Sequence, residues 1–341
     1  MLSKSRYKPK SDDMHMSDAL LSAPVAIAAD VVAVTLLAVA AAKVKKNVKE
    51  NLVPLMGVMG AFIFAAQMVN FAIPGTGSSG HIVGGVLLAA LLGPWAGFLT
   101  LASVLIIQCL IFADGGLMAL GCNIINMGAM TALVAYPLVF RPLLGKGAAG
   151  WKIMAVSIAA CVIGLELGAC MVTLETVSSG ITALPAGKFL ALMSGIHLAI
   201  GIGEGVATGV VLIFIRKYRP ELFGAETAVR GSGAGIKKAV IGFAIAAAVI
   251  AGGLAFLASS NPDGLEWSIE KITGTTDPEP QHVSAFSTGA GKIQETTSIM
   301  PDYDNTFAGV AGALMVVVLV WGVSAMLVKR KRPATRTIHN N

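Results

Sequence analysis

The chain has 341 residues, 55% of them hydrophobic and 13% charged, with a mean hydropathy of +0.76 and a formal net charge of +6. A water-soluble domain carries about 25% charged residues, so this composition excludes an ordinary soluble globular fold. The positive balance is not a nucleic-acid signal either, because basic residues in membrane proteins gather in cytoplasmic loops and set orientation.

Residues 1–13, M-L-S-K-S-R-Y-K-P-K-S-D-D, are polar and read as a disordered extension. They lack an apolar core ahead of a small-residue cleavage site, so they do not make a signal peptide. Apolar runs follow at 20–42, 52–73, 82–93, 94–113, 116–139, 151–172, 189–215, 239–258 and 307–328. Runs of roughly 20 residues cross a bilayer as helices, and unbroken runs favour helices over a barrel. The third is too short to cross unaided. A short apolar piece beside a Gly/Pro-interrupted loop is where transporters place binding sites.

The expected fold is therefore an all-α polytopic membrane protein. A bundle of about seven segments spans 14–220, a linker covers 221–238, a two-helix hairpin covers 239–328, and a basic tail covers 329–341. The hairpin's connecting stretch, 259–306, is polar and opens S-S-N-P-D-G-L-E-W, in which Pro262, Asp263 and Gly264 read as a turn. The four cysteines (Cys109, Cys122, Cys161 and Cys170) sit in apolar runs without metal-finger spacing, and read as small buried hydrophobes. Stretches 43–50, 140–152, 216–238 and 329–341 carry 4, 3, 6 and 5 basic residues, 18 of the chain's 25. Placing these inside puts the N-terminus outside and the C-terminus in the cytoplasm, with His15 and His81 both on the outer face.

The stretch from Asn70 to Gly85, N-F-A-I-P-G-T-G-S-S-G-H-I-V-G-G, carries the chemistry. Its glycines fit the phosphate-loop pattern, but His81 stands where lysine should be and Ile82 where Ser or Thr should be, so this chain does not itself hydrolyse ATP. Gly77 to Gly80 also fits G-x-S-G. Ser79 as nucleophile and His197 as base would make an intramembrane serine protease, although no oxyanion motif accompanies them. Metal coordination is the third reading. His15 follows Met14 directly, and if Met14 begins the mature chain, its amine, the His15 amide and His15 Nδ1 form fused chelate rings. A ring nitrogen of His81 would complete a square of nitrogens, which selects Ni(II) or Cu(II), with Co(II) also suited to imidazole. Affinity should then fall below roughly pH 6, as protons compete for imidazole.

M-H-M-S-D-A-L-L-S, Q-M-V-N-F-A-I-P-G-T-G-S-S-G-H, L-L-G-P-W-A-G-F and F-A-D-G-G-L-M-A-L-G-C-N-I-I-N-M-G closely resemble the CbiM/NikM family. These are substrate-binding membrane components of energy-coupling-factor transporters for cobalt and nickel. The likeness covers about 14–220, and the segment with S-S-N-P-D-G-L-E-W resembles a fused PDGLE or NikN-type unit. The resemblance implies that Met14, His15 and His81 hold the transported ion, that no cofactor is needed, and that a transmembrane coupling subunit and two ATPase subunits are partners. The residues before Met14 depart from the family's pattern and bear on the amine ligand.

Other polar residues have assigned expectations. Asp18 either orients an imidazole or caps the first helix. Asn70 and Gln67 brace the glycine-rich loop. Asp30, Glu166, Glu175 and Glu204 are read as structurally paired carboxylates, costly in a membrane unless satisfied. Asp114, in A-D-G-G, reads as a turn residue. Ala29/Ala33 and Ala38/Ala42 have the small-residue spacing of close helix contacts, either within the bundle or against the coupling subunit.

Overall fold

The structure is a computed structural model. It describes residues 15–47, 52–145, 147–219, 233–253, 258–276, 284–301 and 306–327. Met14 and the extension before it, most of the linker expected at 221–238 and the tail at 329–341 lie outside the described residues.

Eleven helices occur among the described residues. They are α1 (Ala23–Asn47), α2 (Val53–Gln67), α3 (Gly85–Leu92), α4 (Pro94–Phe112), α5 (Leu120–Leu144), α6 (Gly150–Ser179), α7 (Ala186–Tyr218), α8 (Gly233–Gly253), α9 (Gly264–Thr273), α10 (Ala285–Thr297) and α11 (Thr306–Leu327). Five of them, α1, α4, α5, α6 and α7, are long and apolar enough to cross a membrane. Exposed Ile27, Val31, Leu174, Ile202, Phe214 and Val318 give the bundle an apolar exterior. Such a surface suits lipid rather than water, and the fold is that of an all-α polytopic membrane protein.

Each of the nine expected runs contains a helix, although the second, 52–73, continues past α2 into a short strand at Phe71–Ile73, and parts of the last two lie outside the described residues. The short third becomes α3, whose eight residues span about 12 Å. Gly93, at φ 86°, ends α3, and Pro94 opens α4, which places proline where a helix needs no N–H donor. The middle of α5, Ile124–Phe140, is wound as a wider π-helix and includes Pro137. Helices α6 and α7 pack along their length, with Gly201, Gly205 and Gly209 of α7 set against Val162, Ile158 and Met154 of α6. Glycines one turn apart let two backbones approach closely. Ala29 and Ala33 are buried within the bundle, whereas Ala38 and Ala42 face outward. Cys109, Cys122 and Cys161 are buried, but Cys170 is exposed, because it falls on the outward face of α6.

Two regions are more ordered than the sequence suggested. The glycine-rich loop is a β-hairpin, β1 (Phe71–Ile73) against β2 (Ser78–Gly80), pairing Phe71 with Gly80 and Ile73 with Ser78. Gly75 and Gly77, at φ 78° and 75°, make its turn possible. The stretch 259–306 contains α9 and α10. Asp263 ends a turn, as expected, but it is also the N-cap of α9. Its side chain accepts from Glu266 N at 2.8 Å, and Glu266 Oε2 accepts from Asp263 N at 3.2 Å, a reciprocal capping box.

Candidate metal centre

His15 and His81 meet at one end of the bundle, their ring centroids 5.5 Å apart and the rings inclined by 63°. Both are buried, at 4% and 8% exposure. His15 precedes a short stretch pinned to the start of α5: Met16 N donates to Asn123 Oδ1 at 3.1 Å, and Asn123 Nδ2 donates to Met16 O at 3.2 Å. His81 follows β2 directly. The chain just beyond it is tied by Glu204, whose two oxygens accept from Val83 N and Gly84 N at 2.9 Å each. Gln67 Nε2 donates to Val83 O at 3.0 Å, and Gln108 Nε2 donates in turn to Gln67 Oε1 at 2.7 Å. These bonds close the N-terminus of α3 and hold the residues beside His81.

The nearest charge to His15 is Asp114, with Oδ1 2.8 Å from Nδ1. This is a close carboxylate–imidazole contact rather than an aligned hydrogen bond, and neither ring nitrogen of His15 has an aligned partner among the described residues. A buried imidazole with both nitrogens unsatisfied is costly unless something else binds there. A chelate through Nδ1 would bring the ion beside Asp114. Asp114 is thus more than the expected turn residue. No local signal marked it, because only the folded topology brings it to His15.

Asp18 does neither of the things expected of it. Its Oδ1 accepts from Ala119 N at 3.0 Å, so it caps α5 instead of α1 or a histidine. Burial pushes its carboxyl up to about 6, opposed by the N–H groups of Ala119 and Met118. Asn70 contributes its carbonyl, which accepts from Ser259 N at 2.8 Å. Asp30 accepts from Gly121 N at 3.1 Å, and Glu175 accepts from Asn126 Nδ2 at 2.7 Å.

A cavity of about 80 Å³ adjoins the two histidines, with Asn126, Met193, His197 and Asp263 among its walls. Asp263 comes from the C-terminal unit, which closes over the hairpin. Ser79 N donates to Pro262 O and Ser79 Oγ to Asn261 O, both at 2.8 Å, while Trp267 Nε1 donates to Thr76 O at 3.0 Å. Burial pushes the Asp263 carboxyl up to about 7, against the pull of the Glu266 N–H and of nearby His15. The spacing D-G-L-E from Asp263 to Glu266 is a readable helix-start signature, and would have flagged α9. Among the described residues, no group of three or more His, Cys, Asp or Glu side chains could hold one ion. Two imidazoles therefore need main-chain or solvent donors to complete a coordination sphere.

The protease arrangement does not form. Ser79 is fully buried and its hydroxyl serves the C-terminal turn, while His197 Nδ1 pairs with Met193 O at 2.8 Å. The comparisons point the same way. Residues 15–222 match the family described as CbiM, cobalt uptake substrate-specific transmembrane region, and residues 237–329 match the PDGLE domain. The fused nickel transport protein NikMN of Rhodobacter capsulatus is 29% identical, over 76% of this chain and 77% of that one. The cobalt transport protein CbiM of Geobacter sulfurreducens is 27% identical, over 79% and 80%. A crystal structure of a truncated transition metal transporter superimposes with a TM-score of 0.52 at 32% identity, covering 60% of this chain and 99% of that one. The function is metal uptake, as a transport component and not as an enzyme, and the chain belongs to the CbiM family, with a PDGLE domain as its C-terminal unit.

Proposed function

We propose that this chain captures Ni(II) or Co(II) at the outer face of the plasma membrane for an ATP-driven energy-coupling-factor transporter. The observation that carries the reading is the convergence of His15 and His81, ring centroids 5.5 Å apart, from distant parts of the chain. Met14 supplies main-chain nitrogen next to His15, and His81 closes the set from the hairpin side. Nitrogen donors of this kind suit nickel and cobalt, and the fused PDGLE unit favours nickel. Loading displaces protons from the donors. ATP hydrolysis in two partner subunits, relayed by a transmembrane coupling subunit, then moves the ion inward. The excess of basic residues in stretches 43–50, 140–152, 216–238 and 329–341 supports an outer N-terminus and a cytoplasmic C-terminus.

The test is equilibrium binding of radioactive nickel and of Co(II) to the purified full chain, beside uptake by cells. His15→Ala and His81→Ala should each abolish both binding and uptake. Retention of high-affinity binding by His81→Ala would defeat the reading. Intact mass of the native chain fixes the N-terminus and so decides whether Met14 offers an amine.

A further inference from the structure

We infer that His197 is a transient ligand that receives the incoming ion and passes it to His15 and His81. The inference rests on the metal reading of those two histidines and adds a third imidazole to the route.

His197 projects from α7 into the wall of the same cavity that His15 and His81 line. Its Nδ1 lies 2.8 Å from Met193 O, one turn earlier. A carbonyl oxygen only accepts, so Nδ1 carries the proton and Nε2 keeps its lone pair. That is the form in which imidazole binds a metal, with the second nitrogen held by a backbone carbonyl. The hydrogen bond that the ring makes among the described residues is this one, through Nδ1. The bond to Met193 is not needed for helix integrity, because a carbonyl inside an α-helix is already served by the amide four residues on. Its effect is to fix the ring.

The position of that ring matters. A methyl group built on Gly264 would come within 3.2 Å of His197 Cε1, the carbon between the two ring nitrogens. Gly264 follows the Pro262–Asp263 turn, and Pro262 O accepts the Ser79 amide to close the C-terminal unit over β2. His197 thus stands at the seam between α7 and the closing turn, on one wall of the cavity that His15 and His81 also line. Because no three such side chains could hold one ion among the described residues, His197 takes the ion in exchange with the pair and not together with it.

An exchange ligand speeds loading and release alike and leaves the equilibrium nearly unchanged. His197→Asn tests this. The asparagine amide can replace Nδ1–H towards Met193 O, but it removes Nε2. With the purified full chain and either Ni(II) or Co(II), the dissociation constant should stay within about threefold of the parent. Loading in stopped flow and release to excess chelator should both slow by about tenfold or more. Unchanged rates would overturn the inference, and so would loss of equilibrium binding in a folded His197→Asn chain. A measurement on the parent chain makes the test independent of that variant's folding: Co(II) loading followed in the visible band should show two phases, and a single phase overturns the inference. If His81→Ala still holds metal, the capture site itself is wrong. If His81→Ala is inert while His197→Asn loads at the parent rate, only the relay fails.

Discussion

Asp114 offers the sharpest probe of how His15 is held. Substitution Asp114→Asn preserves shape and polarity but removes the charge 2.8 Å from His15 Nδ1. Two unit charges 4 Å apart attract by about 4 kcal/mol at an effective dielectric of 20, and a divalent ion doubles that gross figure. Burying a carboxylate at 3% exposure cancels much of it. In metal sites generally, losing a polar group just outside the ligand shell weakens binding about 10- to 100-fold, or roughly 1.4–2.7 kcal/mol. Asp114→Asn should fall in that window, whereas His15→Ala should not bind at all. The assay is calorimetric titration of Ni(II) and Co(II) into the purified full chain, with thermal unfolding in the presence of chelator to verify folding. An unchanged or tighter dissociation constant would refute the reasoning, since Asp114 would then compete with the ion for Nδ1 instead of supporting it.

Glu204→Gln leaves one amide group facing the two N–H donors of Val83 and Gly84, and should destabilise the chain by about 1.5–3 kcal/mol; an unaltered unfolding temperature would mean that the cap is not stabilising. Ser79→Ala removes the hydroxyl bond to Asn261 O, a loss of about 1 kcal/mol. It should speed metal release about fivefold while uptake continues, and a complete loss of uptake would contradict a purely closing role for Ser79. Asp18 has its carboxyl raised from 3.8 to about 6 by burial, so the folded state holds that proton more tightly than the unfolded state does. Its contribution to stability therefore declines as pH rises from about 4 to 6, by at most about 3 kcal/mol. Asp18→Asn, which mimics the protonated side chain, should match the parent near pH 4 and unfold at a higher temperature at pH 7.5. A variant less stable than the parent at pH 7.5 would show that the charged cap is a net gain.

The membrane helices were legible because each is an apolar run long enough to be diagnostic, and even the truncated third segment could be recognised by its length. The pairing of His15 with His81 was legible from the basic-residue count, which put both at one end of the bundle, and from the family resemblance. The hairpin was not. Its strands have three residues each, too few for an alternating pattern, and an isolated two-stranded hairpin is marginal in any case. It holds because Asn261 and Pro262 accept from Ser79 along β2. Asp114 and the Ser79–Pro262 contact escaped for a related reason: each depends on chain segments far apart in sequence, and no local periodicity encodes such a meeting. Asp18 was misassigned because a carboxylate ahead of a helix looks like that helix's own cap, yet here it caps α5 across the bundle.

The buried carboxylates acquire a common purpose once their partners are compared. Three helices start beside the cavity: α3 just after Val83, α5 at Leu120, one turn before the lining residue Asn123, and α9 at Gly264. Each helix start carries about half a positive charge, a setting that ordinarily attracts anions and would repel a divalent cation. Every one of these starts has its own acid. Glu204 accepts from Val83 and Gly84 ahead of α3; Asp18 and Asp30 accept from Ala119 and Gly121 at α5; Asp263 accepts from Glu266 in α9. The helix ends total roughly +1.5, and carboxyl oxygens occupy their N–H groups without any of these three sets of contacts occupying a histidine nitrogen. Residues that look like structural caps one at a time together set a carboxyl group at each of the three helix starts beside the cavity. Because one of those acids, Asp263, arrives with the PDGLE domain, the C-terminal unit contributes a carboxyl group to the cavity wall as well as covering it.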